Sequence, residues 1–214
     1  MHKDIKIISF DLDGVLYDGQ SAAAHLANFL GLGDKYRELF TRMAKEELEI
    51  EELLQLGTDI WKGVPIDEKM RSLVMELPLM KGAEETILAL KDAGYILGCI
   101  SSGVSQFLMD PLADRLGFDF SHSNILGETN GVHDGTIKFS MDGPKKAETA
   151  LRVLKERNLS TKNLASIGNG HNDIALFDIS AFSIAFNPES EEVSGAASVT
   201  IHSKNLESIL EHFI

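Results

Sequence analysis

The stretch Ile5-Lys-Ile-Ile-Ser-Phe-Asp-Leu-Asp-Gly-Val-Leu-Tyr17 decides the fold of this 214-residue chain. It opens with a short apolar run of the kind that forms a strand covered on both faces of a sheet. The run stops at two carboxylates, Asp11 and Asp13, followed by a glycine. Because ligands of open α/β sheets bind beyond the carboxyl ends of the strands, we expect both acids at a ligand-binding edge.

Asp11 and Asp13 are two residues apart, and alternate residues of an extended segment share a face. Both side chains can therefore address one ligand. With a hard divalent ion such as Mg²⁺ beside them, one carboxylate can attack a phosphorus atom while the other moves a proton. Taken alone, Asp-x-Asp-Gly also fits a solvated turn after a strand, or a fragment of a calcium loop.

Apolar runs alternate with helical patterns along the chain, which is the signature of a parallel sheet with crossover helices. The runs lie at residues 5–10, 96–100, 164–167 and 182–186. Residues 18–80 interrupt this alternation, because their apolar residues recur at helical intervals. We predict an α/β core from residues 1–17 and 81–214. The helical insert, residues 18–80, either pads this core or forms a cap that excludes water from the acidic edge.

Composition and charge restrict the class of protein. Apolar residues make up 43% of the chain and charged residues 25%, as in ordinary globular domains. The net charge of -13 disfavours nucleic-acid binding, which relies on Lys and Arg. No apolar run approaches a membrane span, and the N-terminus lacks the apolar region of a signal peptide. The single cysteine, Cys99, allows no internal disulfide and favours a reducing compartment, so we expect a cytoplasmic protein. From the charge and the absence of a long apolar run, we expect no nucleic-acid or membrane partner.

Ser101, Ser102 and Gly103 form a second polar cluster, directly after the apolar run at 96–100. A hydroxyl and free backbone N–H groups at a strand-to-helix turn form an anion site. Helix capping is the alternative interpretation, because Ser is favoured at helix starts.

A pair of lysines, Lys145 and Lys146, follows Pro144, a residue that suits the first turn of a helix. Most lysines on such a helix are solvated. One cation at its start can nevertheless lie near the strand edge and stabilise charge on a phosphoryl group and on Asp11.

Residues 125–142 contain Asn-Gly and Asp-Gly between β-prone pieces, which predicts a hairpin. In this interpretation His133 and Asp134 are turn residues and not a metal pair. The C-terminal segment predicts a short strand at 199–201 and a closing helix from Leu206.

The last polar cluster lies in Leu164-Ala-Ser-Ile-Gly-Asn-Gly-His-Asn-Asp-Ile-Ala-Leu-Phe177, between a predicted strand and a helix. A glycine-rich turn and a helix cap would explain Asn172 or Asp173 individually. They do not explain why this cluster occurs together with the three earlier ones, at Asp11 and Asp13, at residues 101–103, and at Lys145 and Lys146.

The four clusters resemble the four motifs of the haloacid dehalogenase superfamily. The resemblance implies a Rossmann-like core, and the insert matches in length and position the helical cap of the phosphoserine phosphatase-like branch. It implies Mg²⁺-dependent hydrolysis of a small phosphorylated metabolite, a phosphate monoester, through an aspartyl-phosphate intermediate. Lys-Ala-Glu aligns with the superfamily's usual Lys-Gly-Glu, which favours Lys146 over Lys145.

The resemblance also implies a role for each residue. Asp11 would attack phosphorus, while Asp13 would protonate the leaving oxygen and later activate water. The phosphate contacts would be Ser101, Ser102, Gly103 and Lys146. The metal ligands would be Asp11, the main-chain carbonyl of Asp13, Asn169 and Asp173.

Asn169 departs from the family pattern, which usually has Asp at that position. An amide oxygen can bind Mg²⁺ but brings no negative charge, so we expect weaker metal binding or a larger role for Asp173. The departure motivates an alternative hypothesis, in which a catalytically weakened protein of this fold binds a phosphate ligand or acts as a regulator.

Two further departures concern the substrate. Gln20 is the nearest match to the acid that meets the ammonium of phosphoserine in this branch, and Gln55 or Gly57 aligns with the Arg that meets its carboxylate. Without these charges the preference for an amino acid is reduced, so phosphoserine is predicted to be a poor substrate. Gln20 and Asn172 remain candidates for orienting the substrate. The sequence leaves the oligomeric state open.

Overall fold

The computed structural model describes residues 4–45 and 50–214, and these residues form a seven-stranded sheet with helices packed on it. The strands are β1 Ile7–Phe10, β2 Ile96–Ser105, β3 Phe120–Thr129, β4 Val132–Phe139, β5 Leu164–Gly168, β6 Phe182–Phe186 and β7 Val199–Ile201. Their order is β4-β3-β2-β1-β5-β6-β7, and every pair is parallel except β3 with β4. The predicted α/β fold with a Rossmann-like parallel sheet is confirmed.

Outside residues 18–80 the described helices alternate with the strands, except at β3 and β4, which follow each other directly. They are α1 Ala22–Phe29, α2 Gly33–Lys45, α3 Ile50–Trp61, α4 Glu68–Met75, α5 Ala83–Asp92, α6 Gln106–Leu116, α7 Gly143–Glu156, α8 Ile174–Ile179 and α9 Glu191–Ala196. Helices α1 to α4 follow one another between β1 and β2, as the helical spacing of apolar residues in that segment indicates. None of the described helices combines the length and apolarity that a membrane crossing requires.

Strand β1 lies at the centre of the sheet, and all four of its residues are buried. Its side chains alternate between the two faces: Ile8 and Phe10 join the largest apolar cluster, whereas Ile7 joins a second one. Phe10 is in register with Cys99 of β2 and with Ile167 of β5. The residues that follow these three positions therefore meet at one edge of the sheet.

Strand β2 is longer than the sequence predicts. It continues through the Ser-Ser-Gly cluster to Ser105, with a register shift between Ile100 and Ser105. The side-chain amide of Asn124, on β3, donates to the carbonyls of Ser102 (2.7 Å) and Val104 (2.9 Å) and so holds this irregular segment. The expected strand-to-helix turn at 101–103 is thus a bulged strand, and the interpretation of these serines as helix caps is wrong.

The predicted hairpin is present as β3 and β4, but its details differ. Asn130 and Gly131 both have positive φ, 54° and 76°, and they alone reverse the chain. His133 and Asp134 lie in β4, so their assignment to a turn is wrong; Asp134 instead accepts a bond from Thr136 N (2.9 Å) beside a register shift. The closing segment, Leu206–His212, is a 3₁₀ helix.

The hairpin is joined to the loop between α3 and α4 by backbone hydrogen bonds. Gly63 N donates to His133 O (2.8 Å), His133 N donates to Val64 O (3.1 Å), and Ile66 N donates to Gly131 O (2.8 Å). The buried His133 ring also packs on Phe107, with ring centroids 4.3 Å apart. Strands β3 and β4 are therefore fastened to the helical insert.

The insert leaves and rejoins the core at adjacent points. Tyr17 and Leu79 form an antiparallel bridge, and Met80 N donates to Leu16 O at 2.8 Å. The segment that enters the insert and the segment that leaves it thus run side by side at residues 16–17 and 79–80.

Candidate active site

Asp11 is the first residue after β1 and is almost fully buried. Its backbone N–H donates to Ile167 O (2.8 Å), which continues the pairing with β5. Lys146 Nζ lies 3.0 Å from Asp11 Oδ1 and 2.7 Å from Asp173 Oδ1. The contact with Asp11 is an ion pair outside hydrogen-bond geometry, and Asp11 Oδ1 has no hydrogen-bond partner in the described part of the chain.

Lys146 reaches this position because of how α7 begins. The Asp142 side chain caps the helix by accepting a bond from Lys145 N (2.8 Å), and Pro144 occupies the first turn. Successive residues of a helix point about 100° apart, so only one of the two lysines faces the sheet. The Lys146 side chain is fully buried, whereas Lys145 Nζ contacts Ser140 Oγ (3.1 Å) at the surface.

Asp173 holds Lys146 and the loop after β5 together. Its Oδ1 pairs with Lys146, and its Oδ2 accepts bonds from Asn169 N (3.0 Å) and Gly170 N (3.1 Å). A Cβ on Gly168 would overlap this carboxylate, so the position requires glycine. Both oxygens of Asp173 are engaged, and a direct metal contact would compete with these bonds.

Asp13 faces the cleft from the loop that follows β1. Its Oδ1 accepts a bond from Ala22 N (2.7 Å), at the start of α1. Its Oδ2 lies against Gly103, where a Cβ would overlap it. Gly14 has φ of 73°, and a Cβ there would meet the side-chain amide of Asn169. Glycines at 14 and 103 thus leave room for the side chains of Asn169 and Asp13.

The burial of the site shifts the ionisation of its groups. Desolvation raises the pKa of Asp13 to about 7, although the Ala22 N–H bond acts in the opposite direction. Desolvation and the charge of Asp173 raise the pKa of Asp11 to about 6, although Lys146 opposes them. Burial also opposes the charge of Lys146, but the two carboxylates outweigh it and raise the pKa of the amine.

The site residues surround a cleft of about 460 Å³. The cleft is lined by Asp11, Asp13, Gln20, Ser102, Gly103, Asn169, Gly170, Asn172 and Glu189. Ser102 Oγ is hydrogen-bonded to the side-chain amide of Asn172. Ser101, Lys146 and Asp173 are buried behind this surface, and Ser101 Oγ accepts a bond from Gly103 N at 3.2 Å.

One candidate residue stands apart from the cleft and another was missed. Gln55 Nε2 donates to Asp59 Oδ1 (2.9 Å) and to Gly135 O (3.1 Å), on the hairpin side of α3. Glu189, which follows β6, lines the cleft and accepts a bond from His171 N (2.7 Å). The position of β6 beside β5 is the signal that points to Glu189, because the ends of parallel neighbours share one edge.

The donor atoms of the cleft suit a hard cation. The carboxylate of Asp11 and the amide of Asn169 both line the cleft, the amide beside the loop of Asp13. Mg²⁺ is commonly held by one or two carboxylates, waters and substrate phosphate. Among the described residues no group of three His, Cys, Asp or Glu side chains is placed to hold a metal, in keeping with the amide at 169.

Comparisons with known proteins identify the family of this chain. The family model of haloacid dehalogenase-like hydrolases matches residues 5–177. A phosphoserine phosphatase of Campylobacter jejuni subsp. doylei is 31% identical over 208 residues, covering 97% of this chain and 99% of that protein. Another, from Archaeoglobus fulgidus, is 30% identical over 206 residues, covering 96% of this chain but 59% of that protein.

A solved structure described as a phospho-aspartyl intermediate analogue of phosphoserine phosphatase has the same fold. It superimposes with a TM-score of 0.81 at 24% identity and covers 99% of this chain and 100% of that chain. The chain therefore belongs to the haloacid dehalogenase-like hydrolases and is a phosphoric monoester hydrolase.

Proposed function

We propose that this chain is a Mg²⁺-dependent phosphatase in which Asp11 becomes phosphorylated and Asp13 moves the protons. The observation that carries this assignment is the placement of two carboxyl groups on one cleft. Asp11 lies 3.0 Å from the buried ammonium of Lys146, whereas Asp13 accepts a bond from Ala22 N and its desolvation raises its pKa. An ionised nucleophile beside a group that can both donate and accept a proton is what two-step phosphoryl transfer requires.

In the first step, an oxygen of Asp11 forms a bond to phosphorus while the bond from phosphorus to the leaving oxygen breaks. Protonated Asp13 gives its proton to that leaving oxygen, and the alcohol departs. In the second step, water gives a proton to Asp13 and attacks phosphorus, and the bond between phosphorus and Asp11 breaks. Inorganic phosphate leaves, Asp11 is again a carboxylate, and Asp13 is again protonated.

The other residues hold the reacting groups. Lys146 would offset negative charge on Asp11 and on the phosphoryl group, and Asp173 would keep Lys146 in place through their 2.7 Å contact. The phosphoryl oxygens would meet the hydroxyl and amide groups of Ser101, Ser102 and Gly103. Asn172 would orient Ser102, to which it is hydrogen-bonded.

The proposed metal ligands are the Asp11 carboxylate, the main-chain carbonyl of Asp13 and the Asn169 amide. Asp173 would support them indirectly, through its hydrogen bond from Asn169 N. Mg²⁺ bound there would supply positive charge that stabilises the phosphoryl oxygens in the transition state. Residues 18–80 would act as a cap over residues 1–17 and 81–214, since helix α1 begins beside Asp13 and supplies the Ala22 N–H bond to it.

Release of inorganic phosphate from a panel of phosphomonoesters tests the proposal, with Mg²⁺ and with a chelator. Asp11→Asn is expected to abolish release, whereas Asp92→Asn, an exposed acid at the end of α5, serves as the matched control and keeps it. Absence of release from the folded parent protein, together with release by Asn169→Asp, would instead support a catalytically weakened phosphate-binding or regulatory protein.

A further inference from the structure

A second cavity, of about 300 Å³, lies beneath helices α1, α2 and α3 and adjoins the catalytic cleft. Four residues, Asp13, Gln20, Ser102 and Gly103, line both spaces. A phosphoryl group at Asp11 would therefore direct its leaving alcohol past Asp13 into this second space, which we call the cap cavity.

The walls of the cap cavity are mainly apolar and partly aromatic. Tyr36, Phe40 and Trp61 supply three rings from α2 and α3. Trp61 Nε1 donates to the Tyr36 hydroxyl at 2.8 Å, so the donor of the indole is satisfied within the wall. Trp61 also packs edge-on against Phe107, with ring centroids 5.7 Å apart, which fixes its orientation.

The described lining of the cap cavity contains no cationic side chain. Among its described lining residues, only Asp13 and Tyr36 have ionisable side chains, and neither can be a cation. Burial raises the pKa of Tyr36 to about 12, so that phenol is neutral. The nearby cation Arg42 pairs with Glu52 at 2.9 Å. A carboxylate placed in this cavity would lose water without gaining a described cation, which is unfavourable.

We propose that the leaving group of the substrate is an uncharged aryl or arylalkyl alcohol that fills the cap cavity, and not a phosphorylated amino acid. This inference rests on the proposed phosphatase function and specifies its substrate class. Aromatic pairs gain stabilisation beyond the area that they bury, so the rings of the cavity discriminate in favour of an aromatic alcohol. The volume lies at the lower end of small-molecule pockets, which suits a single ring with a short linker.

The first test compares kcat/KM for phenethyl phosphate and phosphoserine at one Mg²⁺ concentration. We expect phenethyl phosphate to be preferred at least tenfold. Equal or greater kcat/KM for phosphoserine overturns the inference while leaving the phosphatase function intact.

The second test introduces the missing cation. Gly57 lines the cap cavity and lies in α3, and a Cβ built on it would have no atom within 4 Å. Gly57→Arg is expected to raise the ratio of kcat/KM for phosphoserine over phenethyl phosphate at least tenfold. Gly195→Arg is the matched control, because Gly195 is equally open but lies in α9, outside the cavity. An unchanged ratio in Gly57→Arg contradicts the inference.

The third test does not depend on turnover. Trp61 is the only tryptophan of the chain and lines the cap cavity, so its fluorescence reports occupancy. Titration of Asp11→Asn with phenethyl phosphate is expected to change the emission with saturation, and phosphoserine is expected not to. Saturation by phosphoserine alone overturns the substrate class. Saturation by phenethyl phosphate without turnover in the parent protein preserves the ligand class and rejects the phosphatase function.

Discussion

Replacement of Asp13 by Asn is expected to stabilise the metal-free protein, and to do so more at high pH. The pKa of this carboxyl rises from 3.8 to about 7 on folding, mainly through desolvation. One pKa unit corresponds to about 1.4 kcal/mol, so ionised Asp13 destabilises the folded state by up to about 4 kcal/mol. Because Asp13 is partly exposed, solvent screening reduces this to about 2–3 kcal/mol.

The sign of the pH dependence follows from proton binding. Between pH 3.8 and about 7 the folded state retains a proton on Asp13 that the unfolded chain has released, so the stability of the parent protein falls as the pH rises through this window. Asn has no charge to bury and can still accept the Ala22 N–H bond. The gain in free energy of unfolding is therefore about 1 kcal/mol at pH 5 and about 2–3 kcal/mol at pH 8.

Urea unfolding in the presence of a chelator measures this gain at both pH values. Asp92→Asn, which changes an exposed acid, controls for the general effect of one charge on the protein. A gain that is the same at pH 5 and pH 8, or a loss of stability at pH 8, would refute the argument that desolvation dominates at Asp13.

Three further predictions concern other contacts of the site. Lys146→Met leaves two carboxylates buried without their cation. It is expected to lower the free energy of unfolding of the metal-free protein, measured by urea unfolding, by about 3–5 kcal/mol. Lys145→Met, at the surface, is the control and is expected to change this free energy by less than about 0.5 kcal/mol. Asn169→Asp adds a negative charge beside the proposed metal position, so half-maximal activity is expected at a lower Mg²⁺ concentration. A requirement for a higher Mg²⁺ concentration contradicts the proposed ligand set. Gly103→Ala places a methyl group against the Asp13 carboxylate. It is expected to lower kcat by about 100-fold, which corresponds to about 2.7 kcal/mol of transition-state stabilisation. Thermal unfolding of the variant distinguishes this effect from loss of the fold.

The convergence of the polar clusters at one edge of the sheet is predictable from the sequence, because it depends on the order and direction of the strands. Asp11 and the Asn169 loop follow β1 and β5, and residues 101–103 lie in the bulged final part of β2. These strands are neighbours in a parallel sheet, so the convergence of the clusters needs no knowledge of side-chain packing. Helical geometry similarly separates two adjacent lysines, although the sequence alone leaves open which one turns inward. Alignment with the family motif favours Lys146, and the structure places Lys146 beside Asp11.

Other features escaped prediction because they depend on contacts between segments distant in the sequence. The continuation of β2 through its serines depends on the amide of Asn124, some twenty residues later, which binds two of its carbonyls. Glu189 belongs to none of the four polar clusters of the sequence, yet it lines the cleft. Gln55 was a candidate by alignment, but its hydrogen bond to Gly135 turns its amide toward the hairpin.

The hydrogen bonds between the hairpin and the loop after α3 bear on how the cleft can open. Three backbone bonds join Gly63, Val64 and Ile66 to the hairpin. The register shifts of the hairpin lie within its paired part, between Ile125 and Glu128 of β3. A rigid rotation of residues 18–80 about their paired connections would have to break all three bonds. Motion that keeps them must carry the hairpin along, so the body that moves includes strands β3 and β4 as well as the inserted helices, and the pivot includes the irregular part of the sheet edge.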